Sequence, residues 1–109
     1  VRATVAEQGY GLEILINDAS PTVRLAVARH GYGLDILIED NSIAVRAAVA
    51  AQGYGLERLI NDEYAMVRIA VAQQGYGLHI LVKDEDRVVR EVAEEAMNQN
   101  KQGGRNVEY

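Results

Sequence analysis

One phrase governs what this chain can become: Gly-Tyr-Gly-Leu, which begins at Gly9, Gly31, Gly53 and Gly75 and so returns every 22 residues. A fixed period of this size marks an array of small supersecondary units, each too short to bury its own apolar face alone. Four units run over residues 1–22, 23–44, 45–66 and 67–88, and a fifth opens at Val89-Arg90 before the pattern lapses. Val-Arg opens all five. A Val, an Ala, the GYGL phrase and a closing Asp keep their places in the first four.

The first half of each unit predicts a short helix. Val23, Ala26 and Val27 fall at i, i+3, i+4, a narrow apolar stripe. Ser20-Pro21 places a capping hydroxyl before a proline at the first helical position, and Ser42 and Asp86 are positioned to cap likewise. Ala28, Ala50 and Ala72 leave room for a neighbouring helix. Gly31 and its equivalents end the helix because glycine takes positive φ freely. In the second half Leu34, Leu37 and Ile38 repeat the i, i+3, i+4 spacing over barely two turns, short enough to be α or partly 3₁₀. The column Ile14, Ile36, Arg58, Ile80 admits an arginine, which places it at the edge of the core.

Each hairpin would hide its apolar face only against the next. At roughly 8–10 Å per packed helix, the array should be about 35–45 Å long. Beyond Val88 a stripe of Val89, Val92, Ala93, Ala96 and Met97 opposes Glu91, Glu94, Glu95 and Asn98, a polar-backed closing helix over 89–98. Residues 99–109, with Gly103-Gly104, read as a flexible tail. The first unit has no matching cap and Val1 is already in register, so a piece of a longer array, or self-association through that unit, is expected. The fold class is all-α, a stack of 22-residue two-helix units.

Bulk properties narrow the function. The 109 residues are enough for one domain. Sixteen acids against eleven bases give a net charge of -5, which disfavours a general polyanion binder. Cysteine is absent, removing disulfides, thiolate nucleophiles and cysteine-held metal clusters. No apolar run approaches the roughly 20 residues of a membrane helix, and no leader-like segment is present, so a cytoplasmic location is expected.

The phrase Asp40-x-x-x-x-Val45-Arg46, with its copies at Asp18/Arg24, Asp62/Arg68 and Asp84/Arg90, resembles the Asp…Val-Arg signature of HEAT-like repeats. The fuller pattern VRxAVAxxGYGLxxLIxD is similar to the variant leucine-rich repeats of bacteria, and the resemblance covers residues 1–90. It implies a right-handed superhelix of alternating α- and 3₁₀-helices, an α-solenoid that binds partners and shares no common reaction. The iron–sulfur domain linked to one such family cannot lie in this cysteine-free chain.

Two columns are candidate functional features. Asp18, Asp40, Asp62 and Asp84 lie six residues before Arg24, Arg46, Arg68 and Arg90, so each Asp and the following Arg can meet between units as a structural ladder. The competing reading is an arginine stripe for phosphates. Tyr10, Tyr32, Tyr54 and Tyr76 sit between glycines, where helix geometry alone calls for no aromatic. Either each ring packs on the neighbouring turn, or the four form an aromatic strip for a protein or peptide partner.

Other chemistry is weakly signalled. Glu13, Asp35 and Glu57 in the first turn after Gly-x-Gly would repel a phosphate. His30 and His79 occupy different unit positions and read as exposed surface residues, so no metal site is expected. Asp84-Glu85-Asp86 is explained as an inter-helix loop with a cap, and Ser20 and Ser42 lack a base that would make them nucleophiles. The expected function is therefore a non-catalytic scaffold for protein–protein interaction, without cofactor. A nucleic-acid-binding solenoid and a structural spacer are the alternatives.

Overall fold

Local rules show first in how each longer helix starts and stops. The structure, a computed structural model, describes residues 1–107, with side chains to residue 99. Among the described residues the regular structure is entirely helical. It comprises α1 (Arg2–Glu7), α2 (Leu12–Leu15), α3 (Pro21–Arg29), α4 (Leu34–Leu37), α5 (Ile43–Ala51), α6 (Leu56–Leu59), α7 (Ala65–Gln73), α8 (Leu78–Leu81) and α9 (Arg87–Val107). From α3 onward the longer helices begin two residues ahead of the Val-Arg that opens each sequence unit.

The starts differ from expectation in their chemistry. Ser20 occupies the cap position of α3, yet its hydroxyl makes no capping bond; Pro21 alone supplies the start signal. Ser42 Oγ accepts the Val45 N–H at 3.4 Å, and Asp86 Oδ1 accepts those of Val88 and Val89 at 2.8 and 3.2 Å. What recurs is one step earlier. Asp18, Asp40, Asp62 and Asp84 each accept, through Oδ1, the N–H of the residue two places on, at 2.9–3.0 Å. The closing Asp thus holds the residue that starts the next helix, in an Asx turn.

The stops bear on the tyrosine. At the end of α5 the Gly53 N–H bonds the Ala50 carbonyl at 2.8 Å, and the Tyr54 N–H bonds that of Val49 at 3.4 Å. This is a Schellman motif, with Gly53 at φ 79° as its left-handed residue. Tyr54 is the residue after that glycine, a position that favours an apolar group packed back on the helix. The motif accounts for an apolar group at this position but not for an aromatic in particular. Gly55 then caps α6 at φ 64°, and a Cβ added there would run into Ile38 Cδ1 of the preceding short helix.

The short helices are single α-turns. In α4 the Leu37 and Ile38 N–H groups bond four residues back, to Gly33 and Leu34, while Ile36, Glu39 and Asp40 bond three residues back. The 3₁₀ character is confined to the two ends. Leu37, Leu59 and Leu81 are essentially buried, and Ile16, Ile38 and Ile60 nearly so. The Ile14, Ile36, Ile80 column, expected at the core's edge, is 72, 60 and 55% exposed. It projects from the solvent side of each short turn, which is why Arg58 fits there.

Packing follows the chain. α1 lies against α3, α3 against α5, α5 against α7 and α7 against α9, and each short helix touches the longer helix on either side of it. The core is Val and Ala from the longer helices and Leu and Ile from the short ones; Val27, Val45, Val49, Val67, Val71 and Val89 are fully buried. Each such side chain contributes on the order of 1.5–3 kcal/mol of burial. Ala28, Ala50 and Ala72 are likewise fully buried, as close approach requires. The principal extents are 47 × 33 × 20 Å.

α9 is longer than the closing helix expected over 89–98: its backbone stays helical through Gly103 and Gly104 to Val107. Glycine costs about 1 kcal/mol in a helix relative to alanine but does not forbid it, and no proline intervenes. Of the tail expected from residue 99, Glu108 and Tyr109 lie outside the described residues. No helix among the described residues is long and apolar enough to cross a membrane.

Candidate interaction surface

The arginine column is engaged, but with a different acid from the one six residues earlier. Arg24, Arg46 and Arg68 pair through Nε with Asp40, Asp62 and Asp84, sixteen residues on, at 2.7–2.8 Å, and donate a second bond from Nη2 to the other carboxylate oxygen at 3.1–3.3 Å. The Asp six residues earlier is met too, at its backbone: Nη1 of Arg24, Arg46, Arg68 and Arg90 donates to the Asp18, Asp40, Asp62 and Asp84 carbonyls at 2.6–2.7 Å. Each of the three inner guanidiniums therefore clamps two successive loops. One aspartate serves as carboxylate for one arginine and as carbonyl for the next.

Electrostatics and burial agree. Arg24, Arg46 and Arg68 are held above the ordinary arginine value, first by their hydrogen bonds to Asp40, Asp62 and Asp84. Burial opposes the charge on Asp84, but the Arg68 bond and the Asp86 N–H outweigh it and keep the carboxyl below its usual range. Asp18 is held low first by the Ser20 N–H, with Arg2 adding to it. The three inner arginine side chains are only 10–15% exposed, against 65% for Arg2, which among the described residues pairs with Asp18 alone. Arg46 also lies 5.8 Å from the centre of the Tyr64 ring. Fork-shaped, doubly bonded guanidiniums of this kind have few donors left for phosphate.

A second column went unnoticed in the sequence. Position eight of the unit is Gln8, His30, Gln52, Gln74. Gln52 and Gln74 donate from Nε2 to the Arg29 and Ala51 carbonyls at 3.2 and 3.1 Å, and His30 Nε2 meets the Glu7 carbonyl at 2.6 Å. Those carbonyls end the preceding longer helix, where no intrahelical donor remains. His30 is exposed, as expected, and takes the glutamine's place; a carbonyl can only accept, so its Nε2 carries the proton. The recurring Gln was the available signal.

With those two columns engaged inside the molecule, the tyrosines of the Gly-Tyr-Gly turns remain exposed. Tyr32, Tyr54 and Tyr76 are 40–41% exposed and Tyr10 67% exposed. Each ring is thus neither buried between turns nor fully solvated. These three tyrosines share one degree of exposure, and each is held at its backbone by a Schellman bond. The two solvent-facing positions of every following short helix are exposed as well: Glu13, Asp35, Glu57 and His79 in one column, Ile14, Ile36, Arg58 and Ile80 in the next.

The outer side of the longer helices carries another feature. A trough of about 350 Å³ runs over α5, floored by Ala44, Ala47 and Ala51 and walled by Leu25, Met66 and Ile69. Its signal was a second stripe at i, i+3, i+7 of α5, hidden because these positions vary between units. Clefts of about 630 and 540 Å³ between successive loops have Arg46 and Arg68 in their walls, with Asp62 common to both. The Ser42 hydroxyl caps α5, whereas that of Ser20 makes no cap bond. Comparison with known protein families, with characterised proteins and with solved structures gives no match.

Proposed function

We propose that this chain is a non-catalytic repeat scaffold, a right-handed α-solenoid of four 22-residue two-helix units closed by α9, whose tyrosine edge docks a partner protein. The observation that carries the reading is the equal, partial exposure of Tyr32, Tyr54 and Tyr76 on backbones fixed by hydrogen bonds. Tyrosine buries a large rigid surface on binding at small entropic cost and is enriched where binding energy concentrates. The engaged arginines support this reading over a nucleic-acid interface, since phosphate binding needs cations that can leave their partners. A second reading, self-association through the first unit, would use the exposed Val5 of α1.

Affinity capture from a cell extract, with and without nuclease, tests the proposal. The baits are the wild type and Tyr32→Ala/Tyr54→Ala, the latter shown folded by circular dichroism. A protein held by the wild type, lost with the variant and indifferent to nuclease is the expected result. Retention by both baits refutes the tyrosine edge. Capture abolished by nuclease refutes the protein-binding reading, and a mass that rises with concentration identifies the self-associating one.

A further inference from the structure

The tyrosine edge has a chemical pattern beyond its aromatic rings. Each Gly-Tyr-Gly turn leads directly into a short helix whose solvent-facing pair is acidic-then-aliphatic in the first two units, Glu13-Ile14 and Asp35-Ile36. The third unit has Glu57-Arg58 and the fourth His79-Ile80. Arg58 is drawn off to Glu39 at 3.3 Å. The ion pairs among the described residues reach none of Glu13, Asp35 and Glu57. The four units thus present an exposed tyrosine each, an unneutralised carboxylate in the first three, and an exposed isoleucine in the first, second and fourth. The chain's formal charge of -5 adds the same sign around it.

A ligand that uses these columns must run along the stack. Successive units are set apart by the packing distance of helices, about 8–10 Å. A polyproline-II segment advances about 9.3 Å in three residues and returns the same face at every third one. A β-strand covers a similar distance in three residues but turns the third side chain to the opposite face. An α-helix takes about six residues to advance as far and has then turned through about 600°, so the sixth side chain no longer faces the edge. Only the polyproline-II form brings a cation to each carboxylate and still leaves two residues per unit for the ring and the isoleucine.

We propose that the tyrosine edge takes an extended, polyproline-II segment of a partner protein with a lysine or arginine at every third residue. The inference rests on the scaffold reading and adds the partner's chemistry to it. In this arrangement prolines lie on the tyrosine rings, as in other aromatic-lined grooves that receive such segments, and the cations face Glu13, Asp35 and Glu57.

The test is fluorescence anisotropy with labelled synthetic peptides on the whole chain. The first peptide is four Lys-Pro-Pro triplets. The controls are the same peptide with Glu for Lys, one of identical composition with its lysines in a single block, and a single-stranded oligonucleotide. The triplet peptide should bind about tenfold or more tighter than each control, the sum of three exposed ion pairs in register. Asp35→Asn/Glu57→Gln, at surface positions outside the core, should weaken it about fivefold or more and reduce its salt dependence. Tyr32→Ser/Tyr54→Ser should weaken it at low and high salt alike. Equal binding of the block peptide, tighter binding of the oligonucleotide, indifference to the acid substitutions, or no binding of the triplet peptide by about 1 mM overturns the proposal. If any of these occurs while a protein is still captured through Tyr32 and Tyr54, only this partner class falls. If no protein depends on those tyrosines, the scaffold reading falls with it.

Discussion

Replacing Arg46 with alanine should cost far more than a surface ion pair is worth. Its guanidinium holds Asp62 through two bonds at 2.8 and 3.3 Å and the Asp40 carbonyl at 2.6 Å. Its side chain is 15% exposed and that of Asp62 is 9% exposed. Removal strands a mostly buried carboxylate with one remaining N–H donor, that of Tyr64, and leaves the Asp40 carbonyl without its arginine. Exposed pairs contribute about 0.2–1 kcal/mol and breaking a fully buried one costs about 3–5, so this intermediate site should cost roughly 2–3 kcal/mol. For a domain of this size that lowers the melting temperature by roughly 10 °C. Arg2→Ala is the internal control, because its side chain is 65% exposed and no loop carbonyl is bonded to it among the described residues; it should cost less than about 1 kcal/mol. Arg46→Lys should recover little, since an ammonium cannot span two loops with a planar fork. Urea denaturation followed by circular dichroism measures all three, and a cycle with Asp62→Ala should return a coupling above about 1 kcal/mol. Equal costs for Arg46→Ala and Arg2→Ala, or full rescue by lysine, would refute the two-loop clamp.

Gly55→Ala should destabilise more than Gly75→Ala. Both adopt positive φ, costing about 1–2 kcal/mol for any side chain, but only at Gly55 does the new Cβ meet Ile38 Cδ1. Adding Ile38→Val, which removes that methyl, should recover part of the difference in melting temperature, and no recovery would rule out the contact. Leu59→Ala, at a 2% exposed site, should cost about 2–5 kcal/mol by chemical denaturation; a loss under about 1 kcal/mol would mean the short helices are not core elements. Because the Asp84 carboxyl is held below the ordinary aspartate value, the unfolded chain takes up that proton first. The stability it supplies is complete above about pH 4 and is lost as pH falls through the folded value. Asp84→Asn should flatten the acid limb of a stability–pH curve, and an unchanged limb would contradict the assignment.

Much of this was legible from the repeat, and the failures have physical causes. Val23, Ala26 and Val27 were identifiable as core because burial follows the helical period, and Leu37 because its spacing matched. The pairing of Arg46 was misjudged because six residues is a short sequence distance. The guanidinium instead sits over the loop behind it and reaches the loop ahead, so its charge partner is sixteen residues on. Tyr54 was read as turn packing or an aromatic strip, and its Schellman position went unseen because that position is defined by a backbone hydrogen bond, which residue spacing does not reveal. Gln52 was passed over because His30 interrupts its column, although imidazole and carboxamide both offer the N–H that the terminal carbonyl needs. Ile36 was placed too deep because one four-residue turn has a solvent side even when its sequence is almost wholly apolar. The alanine floor over α5 lies where the units differ from one another, and a period reports only where they agree.

The measurement that bears most directly on the scaffold reading is an NMR titration of ring-labelled tyrosine with the captured partner. Tyr10, Tyr32, Tyr54 and Tyr76 lie in the four Gly-Tyr-Gly turns, on the proposed docking edge, while Tyr64 lies beside Arg46. Shifts confined to the rings of the Gly-Tyr-Gly turns, with Tyr64 unmoved, are the expected result. Shifts at Tyr64 with the turn tyrosines unchanged would contradict it.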